Sequence, residues 1–110
     1  MAYYMYTANY TREAIAAMVK QPQDREAPVR KTIEAAGGKL LHAFVALGSS
    51  DVVVIAEFPD DVGMVSVGLA AAASGAVSNG ATTKLLTFAQ FAEAMKKAGQ
   101  VSKAYKAPQG

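Results

Sequence analysis

Two neighbouring stretches, residues 39–47 (KLLHAFVAL) and 52–58 (VVVIAEF), are apolar at odd and even positions alike. Successive side chains of a strand point to opposite faces, so a sheet built on these stretches is oily on both sides. In the first strand Leu40, His42, Phe44 and Ala46 share one face, and Leu41, Ala43, Val45 and Leu47 the other. In the second, Val52, Val54, Ala56 and Phe58 oppose Val53 and Ile55. A sheet covered by helices on one side normally alternates apolar inward and polar outward. Here both sides need cover, and a chain of 110 residues has length for one core and little more.

The other elements read as alternating strands and helices. Residues 2–9 (AYYMYTAN) are aromatic-rich and predict a strand. Thr11 caps a helix that carries Ala14, Ile15, Met18 and Val19 on one stripe. Pro22 interrupts it, and Asp24 caps a second piece over residues 25–36, which Gly37-Gly38 closes through the left-handed conformation. Gly48-Ser49-Ser50 is short enough for a hairpin between the two apolar strands. Pro59-Asp60-Asp61 opens a helix over 62–74, with acidic residues suited to the positive end of its dipole. The short side chains of Ala70–Ala73, Gly63 and Gly68 let that helix approach its neighbours closely. A weaker strand spans 77–86, loosened at Asn79-Gly80. Thr87 and Gln90 form a capping box for a last helix with Phe88, Phe91, Ala92, Met95 and Ala98 on one stripe, stopped by Gly99.

Strand, helix, strand, strand, helix, strand is the α+β ferredoxin-like βαββαβ order, a four-stranded antiparallel sheet with a C-terminal helix added. We expect one domain over residues 1–99 and a flexible tail over 100–110. The surplus apolar face is most economically covered by a twofold partner, two sheets packed face to face. The alternative is that the last helix crosses over and shields it.

Composition narrows the function. A net charge of +2 is too small to argue for nucleic acid, and the third strand lacks the basic-glycine-aromatic pattern that stacks RNA bases. The absence of Cys removes thiolate metal sites, and one His falls short of a zinc site, so neither metal nor cofactor is expected. Residues 62–77 are apolar but too short and Gly-broken for a membrane span, and the N-terminus has no signal-peptide pattern. Cytoplasm and no membrane partner are the expectations.

The tyrosine-rich opening YYMYTANYT, the stretch QPQDREAPVRKTIEAAGGKL, the strand-turn DVVVIAEFPDD and the segment LAAAASGAVSNGATTKLL together resemble the GYD domain family of small bacterial proteins. The resemblance implies a ferredoxin-like, dimeric α/β-barrel type of fold and homo-oligomers, with no established reaction. The Gly-Tyr-Asp signature itself is altered: Gly48-Ser49-Ser50-Asp51 keeps the Gly and Asp and has Ser50 at the tyrosine position.

Candidate chemistry centres on His42, the only histidine, as a general base. Glu57 and Asp51 are the carboxylates that would orient it, and hairpin register decides the matter. Leu47 opposite Asp51 separates His42 from Glu57 by a face, whereas Gly48 opposite Asp51 sets the two directly across from each other. Tyr4, Tyr6, Asn9 and Phe44 are candidate ligand contacts, because an aromatic body with a polar tip suits a partly apolar molecule and equally an interface. The expected function is a homo-oligomeric module that binds a small, partly apolar molecule or acts by assembly. The alternative is a cofactor-independent isomerase or oxygenase using His42.

Overall fold

The computed structural model describes residues 1–109; Gly110, the end of the expected tail, lies outside the described residues. The chain runs β1 (Ala2–Tyr10), α1 (Arg12–Lys20), α2 (Glu26–Ala35), β2 (Lys39–Val45), β3 (Val52–Phe58), α3 (Asp61–Ala73), β4 (Val77–Leu85) and α4 (Phe88–Val101). The strands form one antiparallel sheet in the order β2-β3-β1-β4. This is the expected ferredoxin-like arrangement: each crossover returns its strand to a place beside or beyond the β1–β3 centre, and the hairpin puts β2 on the edge. Among the described residues no helix is long and apolar enough to cross a membrane.

Local chemistry explains most element ends. The Thr11 hydroxyl accepts from the Ala14 amide at 3.2 Å and donates to the Gly75 carbonyl at 2.8 Å, tying the start of α1 to the end of α3. Asp60 caps α3 by accepting from the Gly63 amide at 2.9 Å. Thr87 and Gln90 bond reciprocally at 3.0 and 2.8 Å, the capping box expected for α4. Two ends differ from expectation. The N-cap of α2 is Arg25, with no side-chain bond, while Asp24 accepts from the Glu26 amide at 2.9 Å. α4 runs through Gly99 to Val101, because a glycine in right-handed conformation weakens a helix without ending it.

The core lies between the helices and one sheet face. Ile33 of α2 and Met64 of α3 pack on Tyr4, Tyr6 and Ala8 of β1, Leu40 of β2, and Val54, Ala56 and Phe58 of β3, all buried. Both expected hairpin registers are replaced by a third. Leu40 pairs with Ala56, His42 with Ile55 and Val45 with Val52, leaving Leu41 as the extra residue of a bulge. One inserted residue flips the parity of the strand. Leu40 therefore joins Ala43 on the helix-covered face, while His42 and Phe44 turn to the open side.

That open side carries Tyr3, Met5 and Thr7 of β1, Val53, Ile55 and Glu57 of β3, and Leu85 of β4, all half-buried. Phe44 is 63% exposed beside them. The last helix does not roof this surface. No α4 residue is buried and Phe88 is 93% exposed. The molecule is 60 Å long with a radius of gyration of 18.1 Å, against about 13 Å for a compact domain of this length. α4 projects away from its own domain.

Candidate functional site

The helix layer does not close completely on the sheet. A cavity of about 430 Å³ lies between α1, α2, α3 and the end of the sheet where β1 finishes and β4 begins. Its walls are mostly aliphatic: Met18 of α1, Pro28 and Val29 of α2, Met64 and Val67 of α3, and Val52, Val54 and Val77 of the sheet. The space exists because Ala14 and Ala17 of α1 and Ala70 and Ala71 of α3 present side chains too short to meet across it. The small residues of α3 were expected to draw it against its neighbours, and at Gly63 they do. A Cβ built there would stand 3.0 Å from the Ala36 carbonyl and 3.1 Å from the Phe58 ring. Two turns further on, the same short side chains leave room.

Polar groups in the cavity are few. Tyr6 and Tyr10 line it from β1, Thr32 and Ser74 from the helices, and Gln23 and Arg25 from the α1–α2 connection. Burial pushes the acidity constant of Tyr6 up. The Tyr6 ring lies between two glycines: an added Cβ would come within 3.4 Å of it at Gly68 and 2.8 Å from its hydroxyl at Gly80.

A second polar cluster sits beside the core. Buried Tyr4 donates its hydroxyl to the Asp61 carboxylate, which also accepts from the Lys84 ammonium at 2.9 Å. The bond from Tyr4, and then that from Lys84, holds the Asp61 carboxyl below its ordinary range. The same bonds push Tyr4 and Lys84 up. The cluster joins β1, α3 and β4. A sheet-to-helix clamp is what its geometry provides.

The residues expected to act together are dispersed. His42 is exposed on the open face of β2, its ring nearly parallel to that of Phe44 with centroids 6.2 Å apart. Glu57 shares that face but stands opposite Lys39 and Tyr3, not His42. Asp51 is committed to the backbone: its carboxylate accepts from the Tyr10 amide at 3.0 Å, and its own amide donates to the Ala8 carbonyl and the Asn9 side chain, each at 3.0 Å. Asn9 and Asp51 thus pin the hairpin to the end of β1. Of the expected ligand contacts, Tyr6 borders the cavity, Tyr4 belongs to the clamp, and Phe44 faces away from the cavity with His42. Sequence reasoning passed over Gln23, read only as part of a helix break, and Arg25, read only as the start of the second helical piece. Their one available signal was a cation beside Pro22 and Pro28 in a stretch otherwise bounded by apolar stripes.

The model of the GYD domain family matches residues 4–95. No curated protein matches the chain. Among solved structures, the crystal structure of MtbAldR is similar with a TM-score of 0.53 and 15% identity, covering 78% of this chain and 52% of that one. A transcriptional regulator of Neisseria meningitidis, NMB0573, solved in complex with L-Met, gives a TM-score of 0.48 and 17% identity over 78% of this chain and 50% of that one. The chain therefore spans about half the length of these two structures. At such identities the first likeness speaks for the fold.

Proposed function

The chain belongs to the GYD domain family, and from its geometry we propose that it is a homo-oligomeric module holding a small, partly apolar molecule between its helices and its sheet. The cavity carries this reading. Its volume of about 430 Å³ falls within the usual ~300–1,000 Å³ of ligand sites, and an aliphatic lining with a few polar groups is their usual character. A bound apolar molecule would take those aliphatic walls out of water. Self-association is supported by the open sheet face, where Met5, Val53 and Ile55 are half-buried with Phe44 exposed beside them, a combination that marks interaction surfaces. Nucleic acid plays no part in this reading. A cofactor-independent enzyme using His42 would need its second group from a partner chain, since within one protomer His42 has no hydrogen-bonded carboxylate among the described residues.

Octanol is a suitable neutral probe. Ligand-detected NMR should show it binding the purified protein, and binding should be lost in Ala71→Trp and weakened in Ala17→Leu, both of which fill the cavity. Ile55→Lys, on the other side of the sheet, should leave octanol binding intact. Retention of full binding in both filled variants would refute the cavity as the site. Native mass spectrometry of the purified protein reads subunit number and any retained molecule together.

A further inference from the structure

We infer that the molecule this cavity is built for is an organic monocarboxylate, its carboxylate at Arg25 and its apolar body against Val54, Met64 and Val67. This rests on the cavity being a ligand site and adds the charge of the ligand. Arg25 is the only charged residue among those lining the cavity. No carboxylate lines it, and among the described residues Arg25 takes part in no ion pair. Its guanidinium donates one hydrogen bond, to the Gln23 side-chain carbonyl at 2.8 Å, and Gln23 in turn donates to the Gln21 carbonyl at 3.1 Å. That chain of bonds orients the guanidinium and uses one of its five donors. The fork left over matches a carboxylate in two-point fashion.

The helix end beside Arg25 agrees in sign with an anionic ligand. Arg25 is the N-cap of α2, so the positive end of that helix adds to the attraction for an anion. The acids nearest along the chain are engaged elsewhere: Asp24 accepts from the Glu26 amide at 2.9 Å, and Glu26 pairs with Arg30 at 3.8 Å. Both border a smaller pocket of about 210 Å³ that shares Arg25 and does not replace the first. Depth is ordered as an amphipathic ligand requires. Val54 and Met64 are buried at the floor, while Gln23 and Arg25 are exposed at the rim. At about 30 Å³ per water-sized group, the cavity takes roughly fourteen such groups, enough for a medium-chain or aryl-alkyl acid.

Three ligands of one length separate charge from apolarity: octanoate, octanol and octylammonium, titrated at neutral pH and low salt. Octanoate should bind at least tenfold more tightly than octanol, and octylammonium more weakly than either. Arg25→Gln should cut the octanoate preference over octanol below threefold, and Arg25→Lys should keep part of it. Arg25 is exposed, so both variants should fold, which circular dichroism checks. Equal affinities for octanoate and octanol, or a preference that survives in Arg25→Gln, would overturn the inference and leave the cavity standing. Failure of all three ligands to bind would remove the cavity reading as well.

Discussion

Adjacent glycines at the end of α2 should respond very differently to the same added methyl group. Gly37 has φ +86, and a Cβ there meets nothing within 4 Å. Gly37→Ala therefore costs only the left-handed conformation, about 1–2 kcal/mol, partly offset by about 0.4–1 kcal/mol from the stiffer unfolded chain. Gly38 has no such φ, but a Cβ there would lie 2.4 and 2.6 Å from the Phe58 ring and 2.8 Å from the Glu57 carbonyl. Comfortable carbon contacts are about 3.5–4.0 Å, so something must give by more than an ångström. Phe58 is fully buried and the Glu57 carbonyl belongs to the sheet. Overpacking of this kind costs about 3 kcal/mol. At about 4 °C per kcal/mol for a chain of this length, Tm should fall by about 12 °C for Gly38→Ala and by about 6 °C or less for Gly37→Ala. Thermal denaturation of both variants decides it. Combining Gly38→Ala with Phe58→Leu should be milder than the two singles summed by more than about 1 kcal/mol, because the smaller side chain vacates part of the clash. Equal losses at the two glycines, or strict additivity in the double variant, would refute the contact as the cause.

Two further outcomes are expected. Ile55→Lys or Val53→Lys buries a charge if the open face is an interface, so light scattering should show the assembly dissociating; an unchanged mass removes that face from the assembly. Asp61→Asn should flatten the acid limb of stability. The Asp61 carboxyl is held low in the fold, so its contribution is present above its unfolded value and lost as pH falls through the folded one. The wild-type advantage should then close in acid and shrink with added salt, Asp61 and Lys84 being largely exposed. Lys84 and Tyr4 are pushed up, so their share is present below their unfolded values and fades as pH rises through the folded ones. A difference that ignores pH would show that the charge is irrelevant there.

What could be read from the residues follows the range of the forces involved. Caps at Thr11 and Thr87 act over three residues, so sequence alone locates those helix starts. The oily strands dictate a sheet with a core on one side and a surplus on the other. The bulge at Leu41 was hidden because nothing in KLLHAFVAL distinguishes one extra residue from none; the pairing to β3 selects it. Gly37 and Gly38 looked like one cap and proved to serve two purposes, a left-handed φ and a close approach to Phe58. The cavity was invisible for a deeper reason. Alanines on two helices mean tight packing or empty space depending on how far apart the helices stand, and that distance is a property of the whole layer.

Where copies associate as proposed, the projection of α4 ties its own secondary structure to protein concentration. A helix of 14 residues is near the limit, about 12–15 residues, at which a segment holds itself in water, and this one draws little from its domain beyond a well-made start. Its Phe88, Phe91 and Met95 side chains gain shelter only when another surface arrives. Dilution should therefore unwind the segment as it separates the copies, and helicity measured across a concentration series becomes a gauge of association.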